Sequence, residues 1–232
     1  MDVRVFKVGG CVRDAFLGVK SKDIDYAVEA ASFNTMREYI VSLGGKIWLE
    51  KPEYLTIRAK VGKEDADYVL CRKDGAYSDA RRPDSVEMGT IDDDLARRDF
   101  TMNAIAHQVD APANTDPIYD PFNGVIDIER KTIRCVGDAF DRLNEDPLRI
   151  LRAIRFSITK GFDIHPDTKA AMTVLQDKIA TTVSTERVKD ELTRCFAFST
   201  LRTMDALQDF KVMRDSLFDV GALWLEPTSK GR

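Results

Sequence analysis

Apolar and polar positions alternate from the start of the chain. Residues 3–8 read as a strand, residues 11–17 as a short helix closed by Gly18, and residues 24–29 as a second strand. Ser32 then caps a helix running to about Leu43, with Gly44 and Gly45 as its stop. Residues 46–50, 54–61 and 66–71 follow as strands at short spacing. The pattern predicts an α+β head, a small mixed sheet with helices packed on it.

Between residues 73 and 87 the periodicity dissolves into Gly, Asp, Ser, Arg and Pro, which predicts a mobile active-site loop. Asp92, Asp93 and Asp94 read as a solvated acidic cluster that also suits a helix start. The helix expected there covers residues 95–105 and carries Arg97, Arg98, Asp99 and Asn103. Strands at 106–109 and 118–120 lead into a turn at 121–124. Beyond Gly137 the pattern is helical only, over 138–143, 146–159, 166–179, 184–196 and 200–210. The expected division is a head at 1–136, an all-α neck at 137–199 and a short helical extension at 200–232.

Composition narrows the class. Of 232 residues, 44% are apolar and 32% charged, the balance of a globular chain rather than a disordered one. No apolar run approaches a membrane span and no signal-peptide core opens the chain, so the expected compartment is the cytoplasm. Cys11, Cys71, Cys135 and Cys195 lack the paired spacing of zinc sites and read as reduced thiols. With only His107 and His165 present, a histidine triad or metal site is not expected; metal chemistry falls to carboxylates, which favours magnesium over zinc. A net charge of −4 argues against a chain that coats nucleic acid indiscriminately, and leaves room for a local basic face.

The densest chemistry lies near the N-terminus. Gly9 and Gly10 let backbone approach a phosphate, Arg13 follows on the short helix, and Asp23 and Asp25 stand two apart where an extended chain projects both to one face. Together they predict a phosphoryl-transfer site with Asp23 and Asp25 as ligands for divalent cations. Asp67, on a strand expected beside theirs, reads either as a third carboxylate that ligates metal or takes a proton, or as an exposed strand residue. Asp146, Arg149, Arg152 and Arg155 recur every third residue and wind along one helix. That stripe calls for anionic or base-edge partners, or else for a salt-bridge ladder to Glu186 or Glu191. The stretch 184–187 reads as a helix entry capped by Ser184, bracing the stripe through Glu186. Trp224 reads as a core plug or a stacking platform.

In this order the pieces resemble the class II tRNA nucleotidyltransferase and bacterial poly(A) polymerase family. Residues 9–25 are similar to its first motif and residues 97–104, Arg-Arg-Asp-Phe-Thr-Met-Asn-Ala, to its second. Residues 120–124, 145–152 and 184–187 are similar to the rest, so the resemblance covers about 1–199. It implies a polymerase-β-like nucleotidyltransferase head followed by an all-α neck. Typical members continue into helical body and tail domains, whereas little follows Ser199 here. It further implies Asp23 and Asp25 as Mg2+ ligands and Gly9, Gly10, Arg13 and Arg98 at nucleotide-contacting positions. Asp99 and Asn103 fall near the ribose, Asp146 and Arg149 are the pair that reads the incoming base, and Arg152 and Arg155 make further nucleotide contacts.

The chemistry of that pair also follows from donors and acceptors. A carboxylate accepts from an exocyclic amine while a guanidinium donates to the neighbouring ring nitrogen or carbonyl, an edge that cytosine and adenine share and uracil and guanine reverse. The function expected is template-independent addition of C and A, from CTP and ATP, to the 3′ end of tRNA or another RNA, with release of pyrophosphate. Poly(A) or A-only addition uses the same site, and a non-catalytic RNA-binding relative is the rival from another class.

Overall fold

The computed structural model describes residues 3–21, 23–75, 85–109, 111, 117–211 and 215. The described residues fall into two compact units that divide between Arg130 and Lys131, a few residues before the division the pattern suggested.

The first unit is built on β1 (Arg4–Val8), α1 (Gly10–Phe16), β2 (Asp25–Glu29), α2 (Phe33–Ser42), β3 (Lys46–Lys51), β4 (Thr56–Val61) and β5 (Glu64–Leu70). It continues through β6 (Arg72–Asp74), β7 (Val86–Met88), α3 (Ile91–Ala96), β8 (Ala106–Gln108), β9 (Ile118–Tyr119) and α4 (Gly124–Glu129). Seven strands form one mixed sheet in the order β3-β4-β5-β2-β1-β8-β9, in which β2 and β5 run parallel. Strand alternation decides its two faces. Val5, Tyr26, Val28, Ile57, Ala59, Tyr68 and Leu70 join Met36 and Ile40 of α2 in one buried core. Asp25, Arg58 and Asp67, at the intervening positions, are thereby turned to the opposite face.

Three expectations need correction in this unit. The ends of the expected loop are ordered, since β6 pairs antiparallel with β7; the centre of that loop lies outside the described residues, as does Trp224. The helix expected over 95–105 is instead α3, which stops at Ala96, followed by a 3-10 turn at Thr101–Asn103. Thr90 and Asp93 form a capping box at the start of α3, so the acidic run begins the helix rather than preceding it. The expected turn at 121–124 is present, and a short helix, α4, which the apolar pattern did not signal, follows it over 124–129. Asp120 accepts hydrogen bonds from the amides of Gly124 at 2.6 Å and Val125 at 2.9 Å, which starts that helix.

The second unit contains β10 (Thr132–Ile133), α5 (Ala139–Glu145), α6 (Leu148–Lys160), β11 (Asp163–Ile164) and α7 (Pro166–Leu175), then α8 (Lys178–Thr182), α9 (Thr185–Phe198) and α10 (Thr200–Asp209). It is nearly all helical, but β10 and β11 pair in parallel, a detail that two-residue strands leave invisible in the apolar pattern. Leu148, Ile150, Leu151, Ala153, Ile154, Phe156 and Ile158 give α6 a buried stripe, and Gly161, at φ +69°, ends the helix in the left-handed region. Val188, Leu192 and Cys195 form the buried stripe of α9. No helix among the described residues is long and apolar enough to cross a membrane.

Candidate active site

The parallel pairing of β2 with β5 sets the carboxylates. Asp25 and Asp67 are register partners, tied together as the Asp67 amide donates to the Ile24 carbonyl at 3.1 Å. Asp23 lies in the bend before β2 rather than on the strand, with its side chain exposed next to the strand's first residue. Partial desolvation, the Asp67 carboxylate and Asp23 all push Asp25 above the ordinary carboxylate range, against the pull of Arg98 and Arg58. A carboxylate so placed disfavours its own charge, and a bound cation would relieve it. Arg58 Nε lies 2.8 Å from Asp67 Oδ1. Among the described residues no group of three or more His, Cys, Asp or Glu side chains is arranged to hold a metal ion. Two hard carboxylates with phosphate oxygens completing the shell are a donor set that suits Mg2+ and not zinc.

The glycine pair and the second motif meet beside these carboxylates. Gly9 has φ +73°, and a Cβ there would stand 2.8 Å from Arg98 Nη1, so glycine is required both for the backbone and for the guanidinium above it. Arg98 is in turn held by Asp94, Nη2 to Oδ2 at 2.8 Å, and donates to the Asn103 carbonyl at 3.4 Å. Arg13 donates from Nη1 to Asn103 Oδ1 at 2.6 Å and pairs with Asp14 at 2.8 Å. Asn103 Nδ2 donates to Asp99 Oδ1 at 3.0 Å, and the Phe100 amide donates to the same oxygen at 2.8 Å. Arg13, Arg98, Asp99 and Asn103 therefore form one connected polar network, with Arg98 lying against Gly9.

Asp94 is the residue that the sequence reading missed. It is not solvated but 1% exposed, and both Arg97 and Arg98 converge on its two oxygens. Burial alone would raise its pKa; the two guanidiniums and their hydrogen bonds outweigh burial and hold it below the usual range. The signal was present, since Asp94 precedes Arg97 and Arg98 by three and four residues, the spacing at which helical side chains meet. Asp127 is a second buried carboxylate, 3% exposed, and accepts from the Thr101 hydroxyl at 2.7 Å to fix the 3-10 turn.

In the second unit the arginine stripe is largely partnered within the protein. Asp146 is bound by Arg187, Nη2 to Oδ2 at 2.7 Å, so the brace from the 184–187 stretch runs through Arg187 and not Glu186. Ser184 stands at the N-cap of α9 but makes no side-chain capping bond. Arg149 donates from Nη1 to the Arg142 carbonyl and to Glu145, both at 2.7 Å. Arg155 pairs with Glu191, which is 5% exposed, and its Cζ stacks 4.2 Å from the Phe156 ring centroid. Arg152 stands 3.7 Å from the other oxygen of Glu191. The ladder to Glu191 thus describes Arg155 and, more loosely, Arg152.

Residues 5–134 match the poly A polymerase head domain, and residues 161–217 match the probable RNA and SrmB-binding site of polymerase A. A CCA-adding enzyme of Oceanobacillus iheyensis is 40% identical over 192 residues, 82% of this chain and 45% of that protein. One from Lacticaseibacillus paracasei is 36% identical over 88% of this chain and 48% of its own. The chain thus spans about half the length of the relatives it matches. Among solved structures, Bacillus stearothermophilus CCA-adding enzyme in complex with CTP is 30% identical, with a TM-score of 0.76 over 91% of this chain and 49% of that one. A tRNA nucleotidyltransferase complexed with a primer tRNA and an incoming ATP analog is 27% identical, with a TM-score of 0.74 over 97% of this chain and 61% of that one. With more than half of its residues matched by the head-domain model, the chain belongs to the poly A polymerase head-domain family.

Proposed function

We propose that the chain catalyses template-independent addition of C and A from CTP and ATP to the 3′ end of tRNA. The observation that carries this reading is the convergence on one sheet face of Asp25 and Asp67 with Arg98 seated over Gly9. The relatives named as CCA-adding enzymes and the neighbours solved with CTP or with primer tRNA support the choice of substrates.

In the reaction the RNA 3′-hydroxyl attacks the α-phosphate in line, a new P–O bond forms, and the bond to the pyrophosphate breaks. Asp23 and Asp25 would hold Mg2+, which when bound supplies Lewis-acid activation of the hydroxyl and neutralises charge on the leaving oxygens. Asp67, beside Asp25 and steadied by Arg58, receives the proton of the attacking hydroxyl. Arg13, Arg98 and the backbone at Gly9 and Gly10 orient the triphosphate, while Asp99 and Asn103 face the ribose. Arg187 neutralises part of the Asp146 charge and fixes its orientation, so that Asp146 accepts from the amine of C or A as Arg149 donates to the adjacent ring acceptor. Arg155 serves mainly to hold α6 on α9, and Arg152, more exposed, is the arginine of the two that reaches nucleotide.

Incubating the purified chain with Mg2+, labelled CTP and ATP, and tRNA lacking its terminal CCA should lengthen the RNA. No extension under conditions where the Bacillus stearothermophilus enzyme works sinks the reading. The head-domain family name keeps A-only addition as a second reading. CTP supplied alone decides between them, because incorporation onto a tRNA ending at the discriminator base excludes A-only addition.

A further inference from the structure

The sheet face that carries Asp25 and Asp67 continues outward to an unburied aromatic side chain. Trp48 is 59% exposed on β3, an edge strand of the sheet. The β3–β4 register shifts between Ile47 and Leu49, which leaves Trp48 as the extra residue of a bulge beside Arg58. Arg58 lies over the indole, its Cζ 5.7 Å from the ring centroid, while its Nε is 2.8 Å from Asp67. One guanidinium therefore links the exposed ring to the carboxylate next to Asp25. Lys46 and Lys60 sit opposite each other on the same pair of strands, both with their side chains in solvent. Like charges placed directly opposite destabilise a strand pair, so their pairing calls for an anionic partner. Lys60 is only loosely matched by Asp65, at 3.4 Å.

We infer that Trp48, with Arg58 over one face of its ring and Lys46 and Lys60 alongside, is a stacking platform for the single-stranded 3′ end of the RNA that is extended. An aromatic face interleaved with cations is what single-stranded nucleic acid binds, the ring taking a base and the amines the phosphates. From β3 to β2 is three strand spacings, a span of about 14 Å, or a few nucleotides of single strand. The base stacked on Trp48 is consequently not the terminal one, whose 3′-hydroxyl must lie at Asp25, but one upstream of it. The platform anchors the strand while its end advances, and the ring accepts any base because stacking needs only a π face. Edge protection alone would ask for the bulge and a lysine, but not for a solvent-facing indole tied to the carboxylates.

This inference rests on the proposed function, and the test separates the two. The chain has two tryptophans, so Trp224→Phe leaves Trp48 as the sole indole reporter. In that background a short RNA ending in CC should quench the fluorescence in a saturable way, with or without nucleotide. Trp48→Ala should raise the KM for tRNA about 5- to 150-fold, from about 1–3 kcal/mol per stacked base, with the KM for ATP unchanged and the melting temperature retained. Trp48→Phe should recover most of the loss, which a merely structural role would not do. Wild-type extension combined with an unaltered tRNA KM in Trp48→Ala, or with no quench, overturns the platform and spares the proposed function. A saturable quench in a protein that extends no RNA does the reverse.

Discussion

At the scale of single residues, the site depends on what cannot be replaced. Gly9→Ala forces a Cβ-bearing residue to φ +73° and ψ −130°, a conformation open essentially to glycine, at about 1–3 kcal/mol, and displaces Arg98 from above the backbone. The expected outcome is a fold that survives and a nucleotide KM raised at least tenfold, read by initial rates against CTP concentration. Asp94→Asn removes the charge that two arginines share and should lower unfolding free energy by about 3 kcal/mol in urea titration. Its pKa is depressed in the folded state, so its contribution is complete above the ordinary carboxylate pKa and fades as pH falls below that value. Melting curves between neutral and acid pH should show the variant losing less stability on acidification than the wild type. Asp94 was legible only as a member of an acidic run, because one dimension cannot show which of three neighbouring carboxylates turns inward. Gly9 was legible because glycine states its positive-φ backbone, whereas the two-residue spacing of Asp23 and Asp25 put both on one strand and the structure leaves Asp23 in the bend before it.

At the scale of elements, strand alternation and helix caps carried most of the fold. The strands β1 to β5 and helices α5, α6, α9 and α10 lie where the pattern puts them, within a few residues, whereas the one helix expected over 166–179 is broken into α7 and α8. The stretch after Ala96 did not, since its buried residues, Phe100, Met102, Ala104 and Ile105, are covered by tertiary packing rather than by one helical stripe. A helical period and an irregular segment look alike in sequence when polar residues such as Asp99, Thr101 and Asn103 are buried beside the apolar ones. The arginine stripe raises the complementary problem: spacing finds the cations but not their counter-charges, which come from α5 and α9. Glu191→Ala leaves Arg155 without its buried partner and should destabilise the second unit by about 3 kcal/mol, measurable by urea denaturation followed by circular dichroism. Arg187→Ala should act differently, leaving stability nearly unchanged while relaxing the choice of C and A over U and G in misincorporation assays, because it loosens Asp146.

At the scale of the whole molecule, the proposed function asks a chain of net charge −4 to gather RNA through local cationic surfaces rather than through its overall field. The KM for tRNA should rise with salt along a line on logarithmic axes, and Lys46→Gln should lower the slope by about 0.7, the value of one single-strand phosphate contact. Chelation by EDTA should abolish extension, with Mg2+ restoring it and Zn2+ failing to do so. The parallel pairing of β2 with β5 has a consequence for how activity arises. Parallel neighbours need a long crossover, here α2, β3 and β4, so Asp25 and Asp67 become adjacent only through a pairing of segments distant in sequence. High contact order makes that closure a late event in folding. Under the proposed function, the appearance of activity during refolding should coincide with the final cooperative step, with no nucleotide incorporated by a partly folded head.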